Sequence, residues 1–200
     1  NRIGKLKKDI EKIRKHRQRY RQRRKRSELP IVSLVGYTNA GKSTLLNTLA
    51  SSGVIAENKL FSTLDPVTRK IPLKNGKEML LTDTVGFIQK LPTSLVAAFR
   101  ATLEEAEEAD LLVHVSDISH PNRYEHCHAV NEVLDNLGLS TKPKIGALNK
   151  IDLLSKEYKA YEDPSLLKLM DQFDQTVFCS AETGFGIGEL INTIEIKIGD

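Results

Sequence analysis

Along residues 31–200, short apolar runs alternate with segments whose apolar positions recur at helical spacing, the pattern of strands separated by helices. The runs Ile31–Val35, Leu111–Val115, Lys144–Leu148 and Thr176–Cys179 read as inner strands, apolar on nearly successive positions because both faces are covered. Val67–Leu73 and Glu78–Thr82 are strands joined through Asn75-Gly76, a pair that favours a tight hairpin. Helical spacing starts near Lys42 and returns over Thr93–Ala106, Tyr124–Leu137, Ser165–Phe173 and Gly188–Ile198. The expectation is a three-layer α/β fold around a mostly parallel six-stranded sheet with one antiparallel edge.

Pro30 marks a change of pattern that divides the chain into a basic helix, residues 1–28, and the sheet domain, residues 29–200. Ile3, Leu6, Ile10 and Ile13 form one narrow apolar seam on that helix, which calls for a partner helix. The seam predicts that the helix is the end of a larger helical domain upstream.

Charge sharpens this division. Residues 1–26 hold 14 Lys and Arg against two acids, Asp9 and Glu11, whereas the other 174 residues hold 16 basic and 24 acidic side chains. A polycationic arm on an acidic body suits a phosphate-rich partner, either nucleic acid or an anionic membrane surface. No apolar run approaches the roughly 18–20 residues that a membrane-spanning helix needs. Two cysteines without disulfide-like spacing, Cys127 and Cys179, suit a reducing compartment.

Candidate chemistry begins at Gly36-Tyr37-Thr38-Asn39-Ala40-Gly41-Lys42-Ser43, which fits GxxxxGK[ST] and lies between a predicted strand and helix. The two glycines let the backbone N–H groups curl round a phosphate at the positive end of the helix dipole. Lys42 then reaches the β and γ phosphates, and the Ser43 hydroxyl is a ligand for Mg²⁺. Asp83-Thr84-Val85-Gly86 ends a predicted strand 41 residues after Lys42. Asp83 is the carboxylate on the Mg²⁺ side, and the Gly86 amide is a γ-phosphate contact.

Asn149-Lys150-Ile151-Asp152 is the base-selecting candidate. The Asp152 carboxylate accepts two hydrogen bonds, which guanine offers at N1 and its exocyclic amine and adenine does not. Lys150 lies along the base plane, and Asn149 ties this loop to O6 and to the phosphate loop. Ser180-Ala181 ends the next strand, with the Ala181 amide placed to meet the guanine oxygen. His114 reads as a packed histidine. His120, His126, Cys127 and His128 do not make a metal site, because neighbouring helical side chains diverge.

The order of these elements resembles the translation-factor-related GTPases. The runs Gly36 to Thr44 (GYTNAGKST), Phe61-Ser62-Thr63-Leu64-Asp65-Pro66 and Asp83-Thr84-Val85-Gly86-Phe87-Ile88 are similar to the HflX family of ribosome-associated GTPases. The resemblance implies a cytoplasmic or organellar GTPase, monomeric, that binds the large ribosomal subunit and its rRNA and splits ribosomes under stress. It also makes Thr63 the switch threonine, on Mg²⁺ and near the γ phosphate and attacking water. Asn39 becomes a candidate ligand for K⁺, a cation that would act as an arginine finger does. Phe87 stands where small signalling GTPases carry a water-orienting glutamine, so slow intrinsic hydrolysis is expected. The competing expectations are a non-hydrolysing GTP-dependent RNA- or ribosome-binding switch, a ribosome-assembly factor, and an RNA-modification or membrane-linked GTPase.

Overall fold

The computed structural model describes residues 29–50, 67–84, 86, 106–155 and 158–199. The basic helix over 1–28, Thr63, Phe87 and nearly all of the helix expected over Thr93–Ala106 lie outside the described residues.

Among the described residues six strands form one sheet: β1 (Ile31–Gly36), β2 (Val67–Pro72), β3 (Glu78–Asp83), β4 (Leu111–Asp117), β5 (Lys144–Asn149) and β6 (Gln175–Phe178). Their spatial order is β2-β3-β1-β4-β5-β6, with every pair parallel except β2 and β3. The expected sheet and its antiparallel edge are therefore present. β2 tolerates Pro72 because it is an edge strand, where one missing N–H breaks no second ladder. The hairpin turn bonds Gly76 N–H to Leu73 O at 3.1 Å, with Gly76 at φ +80°.

Helices α1 (Lys42–Ala50), α2 (Arg123–Asn136), α3 (Pro164–Met170) and α4 (Ile187–Gly199) cover the two faces. Successive residues of β1 and β4 point to opposite sides, so both sides become core. Val32, Leu34, Val113 and Val115 pack with Leu45, Leu46 and Leu49 of α1 and Leu190 and Ile194 of α4. Ile31, Val35 and Leu112 pack with Val130 and Leu134 of α2. Leu166 and Leu169 of α3 join Leu148 and Cys127 in a third cluster.

Helix ends follow local chemistry. α3 begins one residue earlier than its apolar spacing suggests. Asp163 accepts from the Ser165 and Leu166 amides at 2.9 and 3.0 Å, and Pro164 occupies a first-turn position that needs no N–H partner. The same helix stops at Met170, short of the expected Phe173, whose ring stands edge-on to His114 at 5.1 Å. That ring sits over β5 because Gly146 has no side chain: a Cβ there would lie 2.7 Å from it. α2 ends where Gly138, at φ +71°, lets the Leu139 amide return to Leu134 O at 2.9 Å.

Candidate functional site

Four loops converge where the parallel strands end in their C-terminal residues, the edge at which open α/β sheets bind ligands. The loop Gly36–Lys42 joins β1 to α1, and both of its glycines are required by close approach. A Cβ on Gly36 would lie 2.3 Å from Val115 O, and one on Gly41 would lie 2.3 Å from Asn149 Nδ2. Their φ angles, +152° and +97°, exclude ordinary side chains independently. Asn39 is a non-glycine residue in the left-handed region, at φ +60°, and is exposed at the rim of the loop.

Lys42 is buried, with Nζ 3.2 Å from Gly36 O and 3.1 Å from Tyr37 O. Burial pulls its ammonium down to about 8, while the nearby Asp83 charge works in the opposite direction. A buried ammonium facing neutral carbonyls is an electrostatic demand for an anion in the loop.

Two side-chain oxygens meet at the β3 end. Ser43 Oγ donates to Asp83 Oδ2 at 2.6 Å, which sets one hydroxyl and one carboxylate side by side. Among the described residues no group of three His, Cys, Asp or Glu side chains is arranged to hold a metal. The hydroxyl–carboxylate pair still fits Mg²⁺, which takes few protein ligands and completes its octahedron with water and phosphate oxygens. Thr84 Oγ1 donates to Leu34 O at 2.6 Å, which ties the end of β3 to β1. Gly86 lies against the phosphate loop: a Cβ would be 2.8 Å from Thr38 Cα and 3.0 Å from Lys42 Nζ.

Asn149, at the end of β5, is engaged through both polar atoms of its side chain. Its Nδ2 donates to Ala40 O and its Oδ1 accepts from the Ala181 amide, each at 2.9 Å and buried. One side chain thus fixes the phosphate loop to the β6–α4 loop. The Ala181 amide, expected to meet guanine O6, is turned to Asn149 here. Ser180 is buried, and its Oγ accepts from the Thr183 amide at 3.1 Å. Thr48 of α1 donates to Ala181 O at 2.7 Å, a second tie that carries no motif in the sequence. Thr44, the last residue of the expected phosphate-binding run, lies in the first turn of α1. Lys150 adopts φ +67°, which turns the chain into a 3₁₀ segment, Ile151–Leu153, with Asp152 exposed. Lys150 Nζ pairs with Asp117 Oδ2 at 2.7 Å.

On the α2 side, Tyr37 stacks on His126 with ring centres 3.8 Å apart, and His120 lies 4.3 Å from His126. Two histidines meet here because the β4–α2 loop folds back, a proximity that helical spacing does not reveal. Cys127 faces inward, and burial raises its thiol to about 12, so it is an inert core residue.

His114 is buried in β4, and burial, followed by the Lys144 and Lys42 charges, holds its imidazole down to about 3. An unfolded histidine titrates near 6.5. Its contribution to stability is therefore complete above pH 6.5 and is lost as pH falls from 6.5 towards 3, where the unfolded chain binds the extra proton. Urea unfolding of wild type and His114→Gln at pH 7 and pH 4 is expected to show the wild type losing about 2–3 kcal/mol more than the variant. Parallel losses in the two proteins would show that His114 does not drive the acid limb.

A mostly parallel sheet whose first strand feeds a glycine loop and helix, with a hydroxyl–carboxylate pair beside a buried lysine, defines a P-loop nucleotide-binding protein. The sequence adds the narrower assignment: residues 31–150 match the family described as 50S ribosome-binding GTPase. The chain belongs to that family, and within it to the HflX GTPases. GTPase HflX of Lacrimispora saccharolytica is 46% identical over 98% of this chain, and that of Escherichia coli K12 is 42% identical over 99%. The chain spans 44% and 45% of the lengths of these two relatives. Among solved structures, a GTP-binding protein from Sulfolobus solfataricus in complex with GDP superposes with a TM-score of 0.69 at 28% identity, over 96% of this chain and 61% of its own. Era in complex with MgGDPNP and nucleotides 1506–1542 of 16S ribosomal RNA gives a TM-score of 0.62 at 28% identity, over 83% of this chain and 55% of its own.

Proposed function

We propose that the chain is the GTP-hydrolysing part of a factor that acts on the large ribosomal subunit and separates ribosomal subunits under stress. The observation that carries the reading is the Asn149 cross-link, which holds the phosphate loop and the base-selecting loop as one unit. In this reading the loop from Gly36 to Ser43 cradles the phosphates, with Lys42 supplying positive charge to the β and γ groups. Ser43 and Asp83 would hold Mg²⁺, which when bound would supply positive charge beside the phosphates. Thr63 would be a further ligand for that ion and would position water, the Gly86 amide would sense the γ phosphate, and Asn39 would offer an oxygen to K⁺. Asp152 selects guanine, Lys150 covers the base, and Ser180 and Ala181 shape the rim of the base pocket.

Since Phe87 cannot orient water by a hydrogen bond from its side chain, the reading requires the ribosome to order the segments around Thr63 and Phe87. Loss of the γ phosphate would then release both and weaken binding to the particle. The basic residues 1–28 are the complementary contact for rRNA phosphates. The test is GTP turnover in potassium and in sodium buffer, with and without purified large ribosomal subunits. Strong stimulation by the subunits supports the ribosome-triggered enzyme, and stimulation confined to potassium supports the Asn39 role. Tight guanine nucleotide binding with no turnover in single-turnover phosphate release would favour the non-hydrolysing switch.

A further inference from the structure

Asp117, the last residue of β4, belongs to none of the motifs that mark the site, yet its carboxylate is committed on both oxygens. Oδ1 accepts from the Ser119 amide at 3.0 Å and from Ser119 Oγ at 2.6 Å. Oδ2 pairs with Lys150 Nζ at 2.7 Å, and the two side chains are only 16% and 22% exposed. We propose that Asp117 is a positioning residue for the nucleotide base: it holds Lys150 stretched across the site, so that the lysine stem forms one wall of the guanine pocket before nucleotide arrives. This rests on the guanine-nucleotide reading above and adds to it the residue that sets the geometry of the lysine.

Ordering the lysine stem carries an entropic cost. Four rotatable carbons lose substantial entropy when fixed, and a stem fixed only on ligand binding charges that cost to the ligand. Here the stem is tethered at both ends. Its Cα sits in a turn at φ +67°, and its ammonium is fixed on a carboxylate that Ser119 has already oriented. Between the two, Lys150 Cε passes 4.0 Å from the position a Cβ would take on Gly41, so the stem runs beside the phosphate loop. Sheet register supports the same arrangement, since Asp117 pairs with Asn149 across β4 and β5, one residue from Lys150. A surface ion pair would be worth little, but this one is shielded and its carboxylate is pre-aimed.

The test is the dissociation rate of a fluorescent GDP analogue, chased with unlabelled GDP, for wild type, Asp117→Ala, Lys150→Ala and the double variant. Asp117→Ala is expected to speed release about tenfold, the cost of losing one charge-assisted bond. Lys150→Ala should do the same or more, and the double variant should be no faster than Lys150→Ala, because Asp117 acts only through Lys150. Asp117→Glu should recover part of the loss, and the Asp117→Ala effect should appear as a raised KM for GTP rather than as a lowered kcat. Should Asp117→Ala not fold, Asp117→Asn, which keeps the size and an acceptor for Ser119, takes its place in the cycle. Release within twofold of wild type, or effects that multiply in the double variant, would overturn the proposal. Failure of the wild type itself to bind the analogue would instead overturn the guanine-nucleotide reading.

Discussion

Exchanging Asp152 for asparagine is expected to weaken GDP binding by about a hundredfold or more and to make xanthine nucleotides the better ligands. Guanine presents two donors on one edge, N1–H and the exocyclic amine, and a carboxylate accepts both. An asparagine amide accepts from N1–H but sets its own N–H₂ against the amine, leaving two donors face to face. Xanthine carries a carbonyl at that position, which restores one donor to one acceptor. The exposed 3₁₀ turn Ile151–Leu153 makes the exchange structurally mild, because Asp152 supports no described core contact. Competition of GDP and XDP against a fluorescent nucleotide reads the change directly. Unchanged preference for GDP in the variant would mean that Asp152 does not face the base, and the assignment of the whole Asn149–Asp152 segment would fail with it.

The parts of this site visible in the sequence are those where one local geometry demands one residue type. Gly36 and Gly41 are legible because a Cβ would strike the β4 backbone at the first and the Asn149 side chain at the second, and Lys42-Ser43 because the loop's chemistry is fixed within eight residues. The strands are legible for a related reason: a central parallel strand is buried on both faces and reads as an apolar run. What stays hidden depends on partners distant in sequence. Asp117 meets Lys150 across 33 residues, and Arg123 meets Asp163 across 40, at 2.7 Å in each case. Glu195 of α4 accepts from the Lys74 and Asn75 amides of the β2–β3 turn, at 3.1 and 3.0 Å, more than a hundred residues away. A lone aspartate at a strand end has no period and no spacing. Its one signal is position, at the C-terminal end of an inner strand where ligand sites gather. The Ala181 amide shows the converse: a motif names the residue, but only the fold shows that Asn149 takes its hydrogen bond.

Asn149 is therefore the residue whose loss should reach furthest. Asn149→Ala leaves Ala40 O and the Ala181 N–H buried with their partner gone, at about 1–3 kcal/mol for each group. The expected result is a loss of about 2–5 kcal/mol in urea unfolding without nucleotide, together with GDP affinity lower by about a hundredfold. Both follow from one cause, because the phosphate loop and the β6–α4 loop are held in register by the same amide. Gly41→Ala attacks that amide from the other side, with a Cβ 2.3 Å from Asn149 Nδ2 and a backbone angle of +97° that alanine resists. The two variants should each be severe, and their combination should be clearly less than the sum, since the second has no intact cross-link left to break. Additive losses would show that Gly41 is needed only for its own backbone conformation. Wild-type stability and affinity in Asn149→Ala would show that the two loops keep their places without the cross-link, and the proposed function would then lose the observation that carries it.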